Sequence, residues 1–316
     1  MNSVPADDPC ATAPDLHAPA IRVGTRGSVL AMAQTSTVIA GLSAAGAGAI
    51  RPRVVTTPGD VNHDPVHRIG VGVFTQALRE AMADGTVDCA VHSYKDLPSA
   101  ADPRFHLVVP VRAPRHDALV ARDGMGLADL PRGARVGTSA PRRVNQLRKL
   151  RPDLDVRPLR GNIDTRIGKV TGGELDAVVL AYAGLLRGGR AHTATHIFTP
   201  DELTPAPAQG ALAVECRADD HVLTGVLDRL ADQCATVETR AERAVLARLG
   251  AGCTSPVAAC AFADTARGSL LLCAAVTGPD GAGEARVKLT GTTADPEGLA
   301  GLVAEELRAA GCGQWL

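Results

Sequence analysis

Aromatic residues and lysines are scarce in this chain of 316 residues. Phe, Trp and Tyr together make up 2% of the sequence, which leaves few ring faces for stacking against nucleic-acid bases. The formal net charge of −1 points the same way, because general binders of nucleic acid or anionic membranes usually carry a basic excess. Only four lysines are present, so arginine supplies most of the positive charge. These absences argue against a broad polyanion-binding surface, although they leave room for a local basic pocket.

Membrane spans, secretion signals and closely spaced cysteines are also missing. No apolar run approaches the roughly 18 residues of a transmembrane helix. Residues 1–20 lack the basic start and apolar block of a secretory signal, and their composition predicts a disordered N-terminal tail. The eight cysteines form no C-x-x-C pair, which argues against a zinc site or a disulfide framework. We therefore expect a cytoplasmic protein with no metal, no membrane partner and no nucleic-acid partner.

The order of apolar runs and turn residues predicts an α/β fold. Predicted strands alternate with predicted helices before and after about Arg112, which is typical of two α/β lobes with parallel sheets and a cleft between them. From Val257 onward the pattern changes to an antiparallel meander, and a final helix is predicted from about Pro296 to Ala310. This last part predicts a small α+β domain.

The most distinctive segment is the run 87–91, apolar except for Asp88, followed by a polar stretch with Ser93, Lys95 and Asp96 and then by Pro98. The pattern predicts a buried strand that delivers polar side chains to its C-terminal edge, where open α/β sheets place their ligand chemistry. Lys95 and Asp96 could form an exposed ion pair, worth less than about 1 kcal/mol. Alternatively, Asp96 could stabilise a cationic transition state or move a proton. The pattern alone gives the two interpretations equal weight.

Several arginines follow predicted strands and lie close to Gly, Ser or Thr. A single arginine of this kind would be read as a solubility residue, but several in one local context favour a pocket for a ligand with separate anionic groups, since the guanidinium fork suits carboxylates. They are Arg26, Arg142, Arg143, Arg160, Arg166 and Arg187. No complete nucleotide-binding glycine motif accompanies them.

Cys253 lies in a loop after a predicted helix that ends near Gly250. The C-terminal end of a helix is its negative end, so it would not lower the pKa of this thiol. The pattern therefore favours a loop cysteine over an activated nucleophile, although the neighbouring glycines leave room for a bulky attachment. His63 and His67 lie in a glycine-containing loop without a cysteine or glutamate motif, which argues against a metal site there.

Six segments, taken together and in order, resemble the porphobilinogen deaminase family, also called hydroxymethylbilane synthases. They extend from about Ile21 across nearly the whole chain. The segments are residues 22–28, 90–98, 136–143, 159–166, 209–217 and 252–256.

The resemblance implies two periplasmic-binding-protein-like (type II) lobes plus a small C-terminal α+β domain. Lobe 1 would comprise residues 21–111 and 211–228, lobe 2 residues 112–210, and the C-terminal domain residues 229–316. It further implies a dipyrromethane cofactor bound covalently through a thioether to Cys253. A monomer would deaminate porphobilinogen, join four units head to tail and release the linear tetrapyrrole, a step of heme biosynthesis.

The resemblance also assigns roles to the polar positions. Asp96 looks like the family's catalytic aspartate, which contacts pyrrole N–H groups and stabilises the cation left when ammonia departs. The cofactor- and substrate-binding positions would be Arg26, Ser28, Phe74, Ser93, Lys95, Thr138, Ser139, Arg142, Arg143, Arg160, Gly161, Asn162, Arg166, Arg187 and Gln209. Cys253 need not have a low pKa, because its partner would be a strong electrophile.

The chain also departs from the family pattern. Many relatives have lysines at the positions of Val71 and Gln76, so two cationic contacts are absent here. A rival function is a non-catalytic anion-binding or effector-sensing protein on the same two-lobed scaffold, because fold alone does not determine function. Asp96 and Cys253 separate the two hypotheses, since a sensor needs neither a third domain nor a thioether cysteine.

Overall fold

The computed structural model describes residues 20–56, 73–252 and 254–316. Residues 1–19 of the predicted tail, His63, His67, Val71 and Cys253 lie outside the described residues, as does the side chain of Phe74. Within the described part of the chain, no helix is long and apolar enough to cross a membrane.

Lobe 1 is built on a five-stranded sheet with the order β2-β1-β3-β10-β4. Its strands are β1 (Ile21–Thr25), β2 (Ile50–Val54), β3 (Cys89–Ser93), β4 (Phe105–Val108) and β10 (Leu212–Arg217). β10 runs antiparallel to both of its neighbours, while β1 is parallel to β2 and β3. Helices α1 (Val29–Ala44), α2 (Val73–Ala83) and α6 (His221–Asp228) accompany this sheet. Apolar side chains such as Leu42, Val91 and Val214 fill its core.

Lobe 2 repeats this arrangement with the order β7-β6-β8-β5-β9. Its strands are β5 (Asp117–Ala121), β6 (Arg135–Gly137), β7 (Asp155–Arg157), β8 (Ala177–Ala181) and β9 (His196–Ile197). Here β5 is the strand that runs antiparallel to its neighbours. The helices of this lobe are α3 (Pro141–Leu150), α4 (Ile163–Thr171) and α5 (Tyr182–Arg187).

The expectation of parallel sheets is therefore wrong for one strand in each lobe. β5 and β10 are the strands that enter each lobe directly from the other one, and they arrive from the opposite direction. This reversal depends on the path of the chain between lobes, which local sequence patterns do not report. The predicted fold class, two α/β lobes with a small α+β domain, is confirmed.

The C-terminal domain is an antiparallel meander covered by two helices. It comprises α7 (Gln233–Arg248), β11 (Val257–Asp264), β12 (Ser269–Thr277), β13 (Glu284–Thr292) and α8 (Pro296–Ala309). Val245, Leu272 and Val303 are buried in the core between sheet and helices. Asp232 and Asp295 begin the two helices, and each accepts a hydrogen bond from a backbone N–H of the first turn.

Two crossover segments, 109–116 and 198–211, join the lobes and lie against α7. Arg112 donates from Nη1 and Nη2 to the two carboxylate oxygens of Glu242 at 2.8 Å each. Glu242 also accepts from the backbone N–H of Ala208 at 2.6 Å, so one buried carboxylate contacts both crossovers. Gly210 has φ +87°, and a Cβ there would collide with the carbonyl oxygen of Ala113. The close passage of the two crossovers thus requires glycine at this position.

Candidate active site

A cavity of about 150 Å³ lies where the two lobes and the C-terminal domain meet. Lobe 1 contributes Lys95 and Asp96, and lobe 2 contributes Arg142 and Arg143. The remaining lining residues belong to the second crossover, to helices α3 and α7, and to the start of the loop and strand that follow α7; they are Ala140, Pro141, Ala206, Pro207, Gln209, Leu246, Gly252, Ser255 and Val257. The site thus draws on all three parts of the molecule.

Lys95 and Asp96 occupy a single 3₁₀ turn, Tyr94–Asp96, directly after β3. The turn is anchored by the backbone N–H of Tyr94, which donates to Ala211 at 3.1 Å, and by that of Leu97, which donates to Tyr94 at 3.2 Å. Tyr94 and Leu97 are buried, whereas Asp96 is exposed toward the cavity that it lines. The predicted strand exit therefore places a solvent-accessible carboxylate on a tightly bonded turn.

Lys95 is half-buried beside a buried amide. Its Nζ lies 3.4 Å from Oε1 of Gln209, on the second crossover. Burial lowers the pKa of Lys95 to about 8, the nearby Asp96 raises it, and Arg143 lowers it further. A lysine in this state gains from an incoming anion, since a negative group would restore its preference for the charged form.

Arg142 and Arg143 are bound to a buried carboxylate that the sequence analysis missed. Arg143 donates to Asp117 Oδ1 from Nε at 3.0 Å and from Nη2 at 2.7 Å, and Arg142 Nη1 lies 2.8 Å from Asp117 Oδ2. Burial opposes the ionisation of Asp117, but the two guanidinium groups outweigh it and hold the pKa of this carboxyl well below its usual range. Two guanidinium groups and one carboxylate leave this buried cluster of Arg142, Arg143 and Asp117 with a net positive charge.

Gln209 connects this ion cluster to Lys95. Its Nε2 donates to Asp117 Oδ1 at 2.9 Å and to the carbonyl oxygen of Arg115 at 2.8 Å. Its Oε1 therefore faces the cationic groups, with Lys95 Nζ at 3.4 Å and Arg143 Nη2 at 3.5 Å. The amide fixes the spacing between the lysine of lobe 1 and the arginines of lobe 2.

Arg166 and Arg187 lie outside this cavity and form no ion pair with the described residues. Arg166 donates from Nε to the carbonyl of Gly161 at 2.7 Å, and burial together with Arg143 and Arg160 lowers its pKa. Arg187 donates from Nη2 to Gly210 at 2.8 Å, and burial lowers its pKa. The effect of Arg143 and Arg160 on the pKa of Arg166 indicates concentrated positive potential around Arg166.

Other predicted binding positions have local structural partners. Ser28 and Asn162 are the N-caps of α1 and α4, and each accepts from a backbone N–H, at 3.2 Å and 2.8 Å respectively. Ser93 accepts a hydrogen bond from Nε2 of Gln34 at 2.9 Å. Gly161 has φ +103°, and a Cβ there would lie 2.7 Å from Thr165 Cγ2, so the turn before α4 requires glycine.

Thr138 and Ser139 precede α3, and the sequence offers their hydroxyl groups as N-cap candidates, but neither side chain caps the helix. Ala140 is the N-cap and makes no side-chain capping bond, while Ser139 Oγ donates to the carbonyl of Leu159 at 2.7 Å. Thr138 is 2% exposed, and its hydroxyl has no hydrogen-bond partner among the described residues. Arg26, which is half-buried, and Arg160, which is exposed, likewise do not line the cavity.

Asp117 and Gln34 were not predicted as residues of the site. Asp117 begins a strand that was not predicted, and nothing in the run from Arg115 to Val120 distinguishes a buried aspartate from a surface one. The one available signal was the adjacent pair Arg142 and Arg143, because two arginines that become buried side by side need a counter-charge somewhere in the fold.

Comparison with known proteins decides the family. A model described as "Porphobilinogen deaminase, dipyromethane cofactor binding domain" matches residues 21–225, and one described as "Porphobilinogen deaminase, C-terminal domain" matches residues 236–309. The chain belongs to the porphobilinogen deaminase family. The resemblance stated from six sequence segments is thereby confirmed.

Curated relatives agree with this assignment over most of the chain. The porphobilinogen deaminase of Corynebacterium glutamicum is 56% identical over 94% of this chain and 98% of its own. That of Corynebacterium efficiens is 57% identical over 91% of this chain and 96% of its own. Among solved structures, an arginine-specific periplasmic binding protein of Salmonella typhimurium aligns with 69% of this chain and 94% of its own, with 11% identity and a TM-score of 0.40.

The cavity suits the cofactor of the porphobilinogen deaminase family. Lys95 supplies an ammonium group, and the Arg142–Arg143–Asp117 cluster carries net positive charge, so carboxylate side chains of a dipyrromethane would meet cations. Gly252 and Ser255, which flank position 253 in the sequence, both line the cavity. Apart from its two neighbours in the sequence, a Cβ added at Gly252 would meet no atom of the described residues within 4 Å. Cys253 itself lies outside the described residues.

Proposed function

We propose that this chain deaminates porphobilinogen and condenses four units head to tail on a dipyrromethane held by Cys253, releasing hydroxymethylbilane. The observation that carries the proposal is the convergence of Lys95 and Asp96, Arg142 and Arg143, and the loop that bears Cys253 on one cavity. Membership of the porphobilinogen deaminase family supports the same reaction.

The cationic groups would bind the carboxylates of the pyrroles. Each pyrrole carries an acetate and a propionate, so the growing product is a polycarboxylate. Lys95 and Arg142 would meet the groups that enter the cavity. Arg166 and Arg187, which form no ion pair with described residues, would serve units further along. A charged hydrogen bond of this kind contributes about 1.5–3 kcal/mol.

Asp96 would act on the reacting pyrrole. Departure of ammonia leaves positive charge on the substrate, and an exposed carboxylate on a rigid turn can lie close to that charge without first losing a buried partner. The same carboxylate can accept hydrogen bonds from pyrrole N–H groups. When bound, the dipyrromethane supplies the pyrrole carbon to which the first substrate unit is added.

Cys253 would hold the cofactor through a thioether. The thiol adds to an electrophilic pyrrole methylene, the S–C bond forms, and the thiol proton is released. Because the partner is strongly electrophilic, no lowering of the thiol pKa is needed, and the position after the C-terminal end of α7 is acceptable.

The test of this assignment is the intact mass of the purified protein. We expect an added mass equal to two linked pyrrole units, absent from Cys253→Ala and retained by Cys234→Ala, a matched control at a half-buried cysteine of α7. An unmodified chain with full activity, or an adduct that persists in Cys253→Ala, would contradict the role of Cys253.

The alternative, an anion sensor without catalysis, is not favoured. A sensor would bind porphobilinogen without consuming it, so ammonia release by the purified protein separates the two functions.

We also propose that the protein acts as a monomer in the cytoplasm. The resemblance to the porphobilinogen deaminase family implies a monomer, and the six described cysteines form no disulfide, which fits a reducing compartment. Light scattering of the protein as it elutes from a size-exclusion column measures its molar mass and so tests whether it is a monomer.

A further inference from the structure

Helix α7 of the C-terminal domain contacts the turn that carries Asp96. Arg243 is 9% exposed, and its Nη1 donates to the carbonyl oxygens of Tyr94 at 3.1 Å and of Leu97 at 3.3 Å. Its Nη2 donates to the carbonyl of Pro98. The guanidinium also stacks on the Tyr94 ring, with Cζ 4.4 Å from the ring centroid. A single side chain therefore holds both ends of the Tyr94–Asp96 turn.

These contacts depend on the shape of arginine. A planar guanidinium can donate to several carbonyl groups in its plane and stack on a ring with its face, whereas a lysine offers one compact ammonium. None of the acceptors is a carboxylate, so the guanidinium is used here to order backbone. The residues that it orders are the ones immediately before and after Lys95 and Asp96.

The same helix leads to the attachment position of the cofactor. α7 ends at Arg248, and residues 249–252 connect it to Cys253. Leu246, one turn from Arg243, lines the cavity together with Asp96. A rigid helix thus joins the Asp96 turn to the start of the Cys253 loop, although the two belong to different parts of the sequence.

We propose that Arg243 is a positioning residue that sets the location of the Asp96 carboxylate relative to the cofactor attachment site. The inference rests on the proposed function, because it takes Asp96 as the group that faces the reacting pyrrole. Loosening the turn would displace this carboxylate together with Lys95, while Arg142 and Arg143, which are held by Asp117, would stay in place. The effect should therefore fall on turnover more than on substrate binding.

The first experiment compares Arg243→Lys with Arg240→Lys. Arg240 lies on the same helix, is exposed and pairs with Glu297 inside the C-terminal domain, which makes it a matched control. We expect Arg243→Lys to lower kcat on the order of 10²-fold, as misplacement by about 1 Å can do, with a much smaller change in KM. Arg240→Lys should leave both constants unchanged. A kcat for Arg243→Lys within about twofold of the wild type overturns the proposal.

The second experiment asks whether Arg243 acts through Asp96. We expect Asp96→Asn to bind substrate but to turn over slowly, and we expect Arg243→Lys to reduce this residual rate by less than about threefold. An equal reduction in both backgrounds would assign Arg243 to general interdomain stability and overturn its positioning role. Near-normal turnover of Asp96→Asn alone would instead contradict the proposed function, and the two failures are thus distinguishable.

A structural measurement completes the test. Hydrogen exchange of peptides spanning residues 94–98 should be faster in Arg243→Lys than in Arg240→Lys, because the Leu97 amide hydrogen bond to Tyr94 loses its support. Both variants should retain the covalent adduct by intact mass. Unchanged exchange in Arg243→Lys would overturn the proposal even if activity fell.

Discussion

At the scale of single residues, Asp117 determines whether the two cavity arginines are stable in the fold. It is fully buried, and it ion-pairs with Arg142 and Arg143 while also accepting from Gln209. Removing one partner of a buried ion pair leaves uncompensated charge in a low-dielectric interior. Asp117 is therefore the counter-charge that stabilises the two buried arginines beside the cavity.

We expect Asp117→Asn to lower the free energy of unfolding by about 3–5 kcal/mol, because two buried guanidinium groups lose their countercharge. Urea unfolding measures the change. Asp219→Asn, at an exposed aspartate, serves as the control and should change stability by less than about 0.5 kcal/mol. A similar loss in both variants would mean that the cluster contributes nothing specific.

Lys95 predicts a pH dependence of substrate binding. Its pKa of about 8 means that the group is charged below pH 8 and becomes neutral above it in the free enzyme. Carboxylate binding should therefore weaken, and KM should rise, as the pH increases through about 8. Lys95→Arg keeps its charge over this range, so its KM should not show the rise. A rise of the same size in Lys95→Arg would assign the titration to another group.

At the scale of structural elements, the second crossover is held in a strained conformation. Ala208 has φ +59°, in the left-handed region, and its N–H donates to Glu242. A residue with a Cβ is destabilised there by about 1–2 kcal/mol relative to the right-handed region, whereas glycine is not. The conformation persists because Glu242, Arg112 and the neighbouring Gln209 fix the loop.

Ala208→Gly should therefore raise the free energy of unfolding by about 1 kcal/mol. Ala206→Gly, in the same loop but without a positive φ, is the matched control and should lower it by roughly 0.5–1 kcal/mol. Thermal unfolding of the two variants gives the comparison. Destabilisation by both substitutions would show that no strain is stored at Ala208.

The elements themselves were partly predictable. The local pattern predicts a strand at Arg135–Gly137, which β6 confirms. It also predicts a helix from about Val29 to Ala40, and α1 is longer by one turn because its alanine and serine positions continue the helix without a breaker. β4 and β5 were missed. Their short runs carry no alternation, and β5 begins with a charged residue whose partners are 25 or more positions away in the sequence. Such pairings depend on tertiary structure, which a local pattern cannot contain.

At the scale of the whole molecule, the C-terminal domain docks on both lobes. Asn145 of α3 donates to the carbonyl of Thr277 at 2.8 Å, and Arg286 donates to Thr204 at 2.9 Å, which joins the domain to lobe 2. Arg243 joins it to lobe 1. The sequence predicted three parts but not which surfaces meet, and the boundaries at residues 112, 211 and 229 remain predictions, as do the roles of the site residues.

The position of β10 also constrains the order in which the chain can fold during synthesis. β10 lies between β3 and β4, so the lobe 1 sheet is split into β2-β1-β3 and an unpaired β4 until residue 217 has emerged from the ribosome. The lobe 2 sheet, in contrast, is formed by one continuous stretch, residues 117–197. Domains generally fold as units when their sequence is complete. The second lobe is therefore the first that can close, and the nascent first lobe exposes strand edges in the meantime.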